Sequence, residues 1–333
     1  MTSHASAKPR VVIADPIHED GVRMLAERFD VLAFKPSERQ ACTAAVREAD
    51  AVVVRTFVVD APLMAQAPRL RAICKHGAGV DNIDIPAATA RGIMVANSGD
   101  ANAQSVAEAT VSLMLAALRK TPQMHRAMTE GRYDVRWGLL LEGICGKTLG
   151  VVGFGNIGRR VARMCRHGFD MNVLVFDPFL SAEEVAAQGA TAVSLEHLLQ
   201  AADVVSLNAG MKHGARPLID APALALMKPS AVIVNTARGG LIDEDALADA
   251  LRCGRLYGAG LDVLAQEPPA PDHPLFALDN VVLSPHVGGA TSSARRLMAT
   301  RAAEAVIAIL SGQPPEFGLN PAAQRSGQAA SVA

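Results

Sequence analysis

Neither sign of charge prevails in this chain, where 32 Lys and Arg stand against 33 Asp and Glu for a formal net charge of -1. That balance offers a polyanion no basic stripe and argues against nucleic acid as a partner. A few local Arg or Lys residues still suffice for a small anionic substrate. Paired cysteines are missing as well. Cys42, Cys74, Cys145, Cys165 and Cys253 form no CxxC motif. An odd number in a long chain speaks against a disulfide scaffold and fits a reducing cytoplasm, with most thiols serving as small core residues. No long apolar run is present, since the richest helical stretch, Ala107 to Ala117, carries Glu108 and is too short to span a bilayer. The start, Met1 to Arg10, has no apolar segment and is expected to be a loose arm rather than a signal peptide. No metal-ligand spacing and no short-period repeat appear.

What is present is an ordinary globular composition, 50% apolar and 20% charged over 333 residues, enough for two domains with separate cores. Short β-branched runs (Val11 to Ala14, Ala51 to Val54, Leu70 to Cys74, Ile93 to Ala96) alternate with helical stretches such as Glu19 to Phe29 and Ala41 to Glu48. This is the pattern of a parallel sheet covered by helices. Asp100 to Lys120 reads as one long helix, with Val106, Thr110, Leu113 and Ala117 facing a core. Gly131 to Gly146 reads as a loop. A second set of strands is expected at Leu149 to Val152, Val173 to Phe176, Val204 to Ser206, Ala231 to Asn235, Gly260 to Asp262 and Val281 to Leu283, followed by a helix over 291 to 311. The fold class is therefore α/β. From Gly312 the composition of Gly, Pro, Ala, Ser and Gln predicts a tail that ends disordered.

Lys147 to Ala162 combines a strand, a tight turn and a helix around Gly153-Phe-Gly-Asn-Ile-Gly158. Gly153 permits the turn, Gly155 admits a pyrophosphate to the backbone, and Gly158 allows close helix–sheet packing. The N–H groups of Asn156 and Ile157 and the helix dipole then favour phosphate. A lone GxGxxG is weak, but here a second strand follows and ends in Asp177, nineteen residues after Gly158. A carboxylate there can accept both adenosine ribose hydroxyls and repels a 2′-phosphate, which favours NAD over NADP. Asp177 is also a plausible turn residue before Pro178.

Three candidates for the chemistry follow strand ends: Arg238 in Asn235 to Gly240, Glu267 before Pro268, and His286 in Leu283 to Gly289. Loops at the carboxyl ends of parallel strands converge on a ligand crevice. Histidine can exchange a proton with an alkoxide-like centre near neutral pH. A carboxylate can hold its tautomer, and arginine can clamp a carboxylate through two parallel bonds. Each also has a plain structural role open to it, as a surface ion-pair partner, a turn residue and a loop histidine. His76, before Gly77-Ala-Gly79, competes as the base or as a substrate ligand.

On Gly77 to Asp84, Ser105 to Glu108, Gly153 to Gly158, Asn235 to Gly240, Gly260 to Val263 with Glu267-Pro268, and Pro285-His286 with Gly288 and Gly289, the chain resembles the D-isomer-specific 2-hydroxyacid dehydrogenases over about residues 10 to 320. The resemblance implies two Rossmann-like and flavodoxin-like parallel-sheet domains, the NAD domain (103–290) inserted into a discontinuous substrate domain (1–102 and 291–333). It implies substrate-carboxylate binding at Arg238 and an acid/base pair in Glu267 and His286. Backbone N–H groups at His76, Gly77, Ala78 and Gly79 would face the substrate, and Asp262 and Ala237 would lie at the cofactor. Asn102 and Ser105 would line a cleft whose closure excludes water. Family members are commonly dimers.

Within the family the likeness is greatest to phosphoglycerate dehydrogenases, with Lys75 where those enzymes often carry a phosphate-binding Arg. Arg55, Lys75 and Arg136 would then form an anion pocket, although Lys75 also fits a solvent-facing strand end. The chain stops short of the C-terminal serine-sensing domain of many such enzymes, so feedback through one is not expected. A glyoxylate or hydroxypyruvate reductase is the alternative enzyme, and an NAD-binding corepressor-like scaffold the alternative of another class. The family usually reads His-x-Pro-Leu-Thr after the strand at 204, where this chain has Asn208-Ala-Gly-Met-Lys212, and Ala215 replaces a later Thr. That departure falls beside the nicotinamide half of the cofactor.

Overall fold

The β-branched runs form strands that are apolar on both faces. The computed structural model describes residues 8–211 and 214–323 and divides into two compact units, Met1–Asn102 with Ala290–Ala333, and Ala103–Gly289. In the first unit β1 (Arg10–Ile13), β2 (Asp30–Ala33), β3 (Ala51–Val54), β4 (Ala72–Lys75) and β5 (Met94–Ala96) form one sheet in the order β2-β1-β3-β4-β5. Every pairing is parallel, and the order is the flavodoxin-like one. Side chains alternate between faces. Val11, Ile13, Ala51, Val53 and Cys74 pack with Ala302 and Val306 of the helix Ser292–Leu310. Val12, Val52, Val54 and Ile73 pack with Cys42 and Val46 of the helix Arg39–Arg47. With both faces covered, the strands read as continuous apolar runs rather than alternating ones.

The second unit holds β6 (Thr148–Val152), β7 (Asn172–Phe176), β8 (Thr191–Ala192), β9 (Val204–Leu207), β10 (Val232–Asn235), β11 (Gly258–Leu261) and β12 (Val281–Leu283), in the order β12-β11-β10-β9-β6-β7-β8. All pairings are again parallel. The strand order reverses direction at β6, between β7 and β9, which is the doubly wound arrangement whose ligand crevice lies at that switch point. Leu149, Val151 and Val204 on one face meet Val161 and Cys165 of the helix Asn156–Phe169 and Met114 of the helix Ala103–Leu118. Val152, Val205 and Ile233 on the other meet Leu198, Leu224 and Leu247.

Several expectations need correction. The β2 strand is missing from the expected set: its run Val31 to Phe34 is apolar, but the four strand residues are only half-buried or exposed. The helix expected over 100–120 spans Ala103–Leu118 and breaks at Lys120, whose φ is 49°, before a second helix, Thr121–Thr129. Arg10 is not part of a loose arm but opens β1, its N–H donating to Asp50 at 2.7 Å; residues 1–7 lie outside the described residues. The tail is placed as far as Ala323. Leu319 donates to Val95 O at 2.8 Å, and buried Asn320 accepts from Val95 N at 2.8 Å and donates to Ile93 O at 2.9 Å. These bonds satisfy the open edge of β5, a tertiary requirement that composition does not display. Residues 324–333, the end of the expected disordered tail, lie outside the described residues.

Candidate active site

In the second unit Gly153, Asp177, Asn208, Arg238, Asp262 and His286 all follow the carboxyl ends of strands, so one edge of the sheet gathers them. The glycine turn has the form a dinucleotide needs. Gly153 has φ +87°, and a Cβ there would meet Ala209 N at 2.7 Å. A Cβ on Gly158 would lie 2.2 Å from Gly153 O, whereas one on Gly155 meets nothing within 4 Å. Two glycines are therefore demanded by the chain itself, and the third opens a space that only an outside group can use. Arg159 is the first residue of its helix whose N–H reaches an intrahelical carbonyl, at Gly155 O (3.1 Å), which leaves the N–H groups of Asn156, Ile157 and Gly158 directed at that space. Asp177 accepts from Phe154 N at 2.8 Å and Phe179 N at 3.0 Å. Its carboxylate is thus tied to the glycine turn, with lone pairs left for hydroxyl donors. These residues fit a nicotinamide dinucleotide.

The His286 ring meets Glu267, Nδ1 to Oε2, at 2.7 Å. An ionised carboxylate only accepts, so Nδ1 carries the proton and Nε2 is the nitrogen left for exchange. Both side chains are partly exposed (53% and 39%), so they are open to a ligand rather than sealed in the core. The loop that carries His286 is held by Asp262, only 3% exposed. Its carboxylate accepts from Ser284 Oγ (2.5 Å), Val287 N (2.9 Å) and Gly288 N (2.8 Å), and its carbonyl accepts from His286 N (2.8 Å). His286 itself has φ 53°, a left-handed conformation uncommon outside glycine and asparagine, maintained by these bonds. Ser105 Oγ donates to Gly288 O at 2.7 Å and ties the same loop to the helix below.

Arg238 is half-buried, and Asn235 shapes its loop by accepting from Ala237 N (3.0 Å) and donating to Arg238 O (2.8 Å). Its Nη1 donates to Ala237 O at 2.7 Å. Ser284 and Asn235 were not among the residues singled out from the sequence. Their signal was present in kind, since Asn and Ser at strand ends commonly bond neighbouring backbone.

In the divergent loop, Asn208 N donates to Val152 O at 2.8 Å, and its side chain donates to Ser206 O (3.1 Å) and Oγ (3.0 Å). A Cβ on Gly240 would lie 2.9 Å from Met211 Sδ, so the loop packs towards the Arg238 turn. Lys212 and His213 lie outside the described residues.

The first unit contributes a strand-end cluster of its own. Lys75 Nζ donates to Arg55 O (2.6 Å) and Asn82 Oδ1 (2.5 Å), and Asn82 donates to Phe57 O (2.6 Å). Asp15 completes this clamp, one oxygen accepting from Arg55 N (2.8 Å), Thr56 N (2.7 Å) and Phe57 N (3.0 Å). His76 is buried, and its Nε2 donates to Arg295 O at 3.2 Å. Burial, helped by the positive charge of Arg55, lowers its pKa to about 4, so the ring is neutral at pH 7. That suits a fixed wall better than the base His76 was offered as. Gly77 (φ +140°) turns the chain into Ala78 and Gly79, and its N–H faces Ser98 Oγ at 3.2 Å. Asn102 ends the first of the two segments of this unit. Arg136 belongs to the second unit, exposed on the turn Tyr133–Trp137 and stacked on both rings at 4.5 and 4.3 Å.

Comparison with known proteins gives the family. Residues 111–288 match the model of the D-isomer specific 2-hydroxyacid dehydrogenase NAD-binding domain. The chain is 39% identical to a D-3-phosphoglycerate dehydrogenase of Methanocaldococcus jannaschii over 93% of its own length and 59% of the relative's. It thus spans about three fifths of that enzyme. It is 38% identical to a glyoxylate reductase of Korarchaeum cryptofilum, covering 92% of this chain and 95% of the other. Its fold matches an NADPH-dependent glyoxylate/hydroxypyruvate reductase of Sinorhizobium meliloti, solved with NADP and malonate, with a TM-score of 0.81 at 29% identity over 94% of this chain and 97% of that one. With its doubly wound sheet, its glycine turn and these relatives, the chain belongs to the D-isomer specific 2-hydroxyacid dehydrogenase family.

Proposed function

We propose that the protein interconverts a D-2-hydroxy acid and its 2-oxo acid with NAD, residues 103–290 holding the nucleotide and the remainder the substrate. The observation that carries this reading is the 2.7 Å pair of His286 and Glu267 on the strand-end edge that also bears the glycine turn. A bound nicotinamide supplies the hydride exchange at C2. His286 Nε2 takes the hydroxyl proton in oxidation and returns it in reduction. Glu267 holds the Nδ1 proton and stabilises the imidazolium formed. Arg238 pairs with the substrate carboxylate. Asp177 favours NADH over NADPH by repelling a 2′-phosphate.

Similarity to phosphoglycerate dehydrogenases supports D-3-phosphoglycerate and 3-phosphohydroxypyruvate as substrates, with Arg55 and Lys75 as the candidate anion-binding residues of the first unit. The engagement of Lys75 with Arg55 O and Asn82 favours a second reading, reduction of an unphosphorylated acid such as glyoxylate or hydroxypyruvate. NADH absorbance across a panel of 2-oxo acids separates them. If 3-phosphohydroxypyruvate is turned over no better than hydroxypyruvate, the phosphoglycerate reading fails. If NADH binds and no acid turns over, the corepressor-like scaffold replaces both. His286→Asn, chosen because Asn tolerates positive φ, is expected to lower turnover about a hundredfold or more with NADH affinity retained. A fully active variant rejects the mechanism.

The exposed Met128, Tyr133, Trp137 and Leu140 support a homodimer, which light scattering tests directly. The absence of any CxxC pair supports a reducing cytoplasmic setting. No helix among the described residues is long and apolar enough to cross a membrane, and none of their His, Cys, Asp and Glu clusters could hold a metal.

A further inference from the structure

The second unit contains another histidine–carboxylate pair, which takes no part in the chemistry above. Glu244 opens the helix Glu244–Arg252, and His273 precedes the turn Pro274–Ala277. His273 Nε2 lies 3.1 Å from Glu244 Oε2, with the side chains only 13% and 14% exposed. Leu275 N–H points at His273 Nδ1 (3.4 Å), which makes Nδ1 the acceptor and Nε2–H the donor to Glu244. The other carboxylate oxygen, Oε1, accepts from Ala265 N at 2.8 Å. Capping the helix does not require Glu244, because Asp243 does so through Ala246 N at 3.1 Å.

The peptide that Glu244 grips is a junction. A Cβ on Gly239 would lie 1.9 Å from the carbonyl carbon of Leu264 and 2.3 Å from Ala265 N, so this peptide rests directly on the residue after Arg238. On its other side Leu264 N donates to Glu267 Oε1 at 3.1 Å, which leaves Oε2 for His286. The Leu264–Ala265 peptide therefore joins the loop of the carboxylate clamp to the loop of the acid/base pair. Its N–H is fixed by a desolvated charge, a stronger and more directional hold than a neutral acceptor gives.

We propose that Glu244, oriented by His273, is a positioning residue that sets Glu267 against His286 and keeps that pair in register with Arg238. The proposal rests on the acid/base reading of Glu267 and His286. It needs the ionised carboxylate, since both of its oxygens face donors.

The test is Glu244→Gln in the full chain, with the best 2-oxo acid of the panel. If the amide oxygen faces Ala265 N, the amide nitrogen meets His273 Nε2–H donor to donor. The expected result is a kcat lower by about tenfold or more, in line with the sensitivity of reactions to small misplacements, with NADH Kd unchanged. In a Glu267→Gln background, the same substitution is expected to add less than about twofold, because residues acting as a unit are non-additive. A purely structural role lowers Tm without that dependence on Glu267. His273→Gln, which leaves the Glu244 carboxylate in place, is expected to give a smaller fall in kcat and serves if Glu244→Gln does not fold. A crippled Glu267→Gln enzyme beside normal Glu244→Gln and His273→Gln enzymes overturns this inference alone. Full multiplication of the two losses overturns it too. A Glu267→Gln enzyme with full turnover overturns the acid/base reading and this inference with it.

Discussion

Replacing Asp15 tests how the Arg55 loop is held. The residue is 2% exposed, and its Oδ2 alone accepts the consecutive N–H groups of Arg55, Thr56 and Phe57 at 2.7–3.0 Å. Its Oδ1 meets Arg39 Nη2 at 2.8 Å and Thr56 Oγ1 at 3.1 Å. Burial raises the Asp15 pKa, but the three N–H bonds and the Arg39 charge outweigh it, and the net direction is down. In Asp15→Ala three donors lose their acceptor at about 1–3 kcal/mol each. Water reaches part of the loop, so the low end applies, about 3–4 kcal/mol in total. Asp15→Asn keeps an oxygen but no charge and is expected to cost about half as much, since charge-assisted bonds are roughly twice as strong. Native-state hydrogen exchange at pH 7 reads this locally. At about 1.4 kcal/mol per tenfold change, amides 55–57 should exchange on the order of a hundred- to a thousandfold faster in Asp15→Ala. A change below about fivefold, or equal effects of Ala and Asn, refutes the account. The sign with pH follows from the lowered pKa. The Asp15 contribution is complete above its unfolded pKa, near 3.9, and is lost as pH falls through the lower folded value.

Four further outcomes are expected. Gly155→Val should leave Tm nearly unchanged and weaken NADH binding about tenfold or more, because its side chain enters open space where the pyrophosphate would lie; Gly158→Val should instead lower Tm, since even a Cβ comes 2.2 Å from Gly153 O. An NMR titration should find His76 as the Nε2–H tautomer with a pKa of about 4. The unfolded chain then binds a proton that the folded chain refuses between about pH 6.5 and 4, so His76→Gln should flatten the loss of stability across that window. A His76 that titrates near 6.5 in the folded protein contradicts its burial.

Much of the fold was legible because parallel strands buried on both faces must be written as apolar runs. Val11 to Ala14, Ala51 to Val54 and Leu149 to Val152 announce themselves this way. The half-exposed β2, with Val31 to Phe34, is apolar in sequence without being buried on both faces. The glycine turn was legible for the same reason, since Gly153 and Gly158 are forced by contacts within a few residues of themselves or across one strand pair. Arg238, Glu267 and His286 were visible only as separate residues at strand ends. The bonds that place them were not, because Asp262 serves a loop more than twenty residues away and Glu244 grips a peptide 21 residues on. The same holds for Lys75, whose charge suggested a ligand anion and whose bonds go to Arg55 O and Asn82. Local chemistry and periodicity reside in neighbouring residues and can be read from their order alone. Which lone pair meets which donor depends on distances closed by the whole sheet, and it is fixed once the chain has folded.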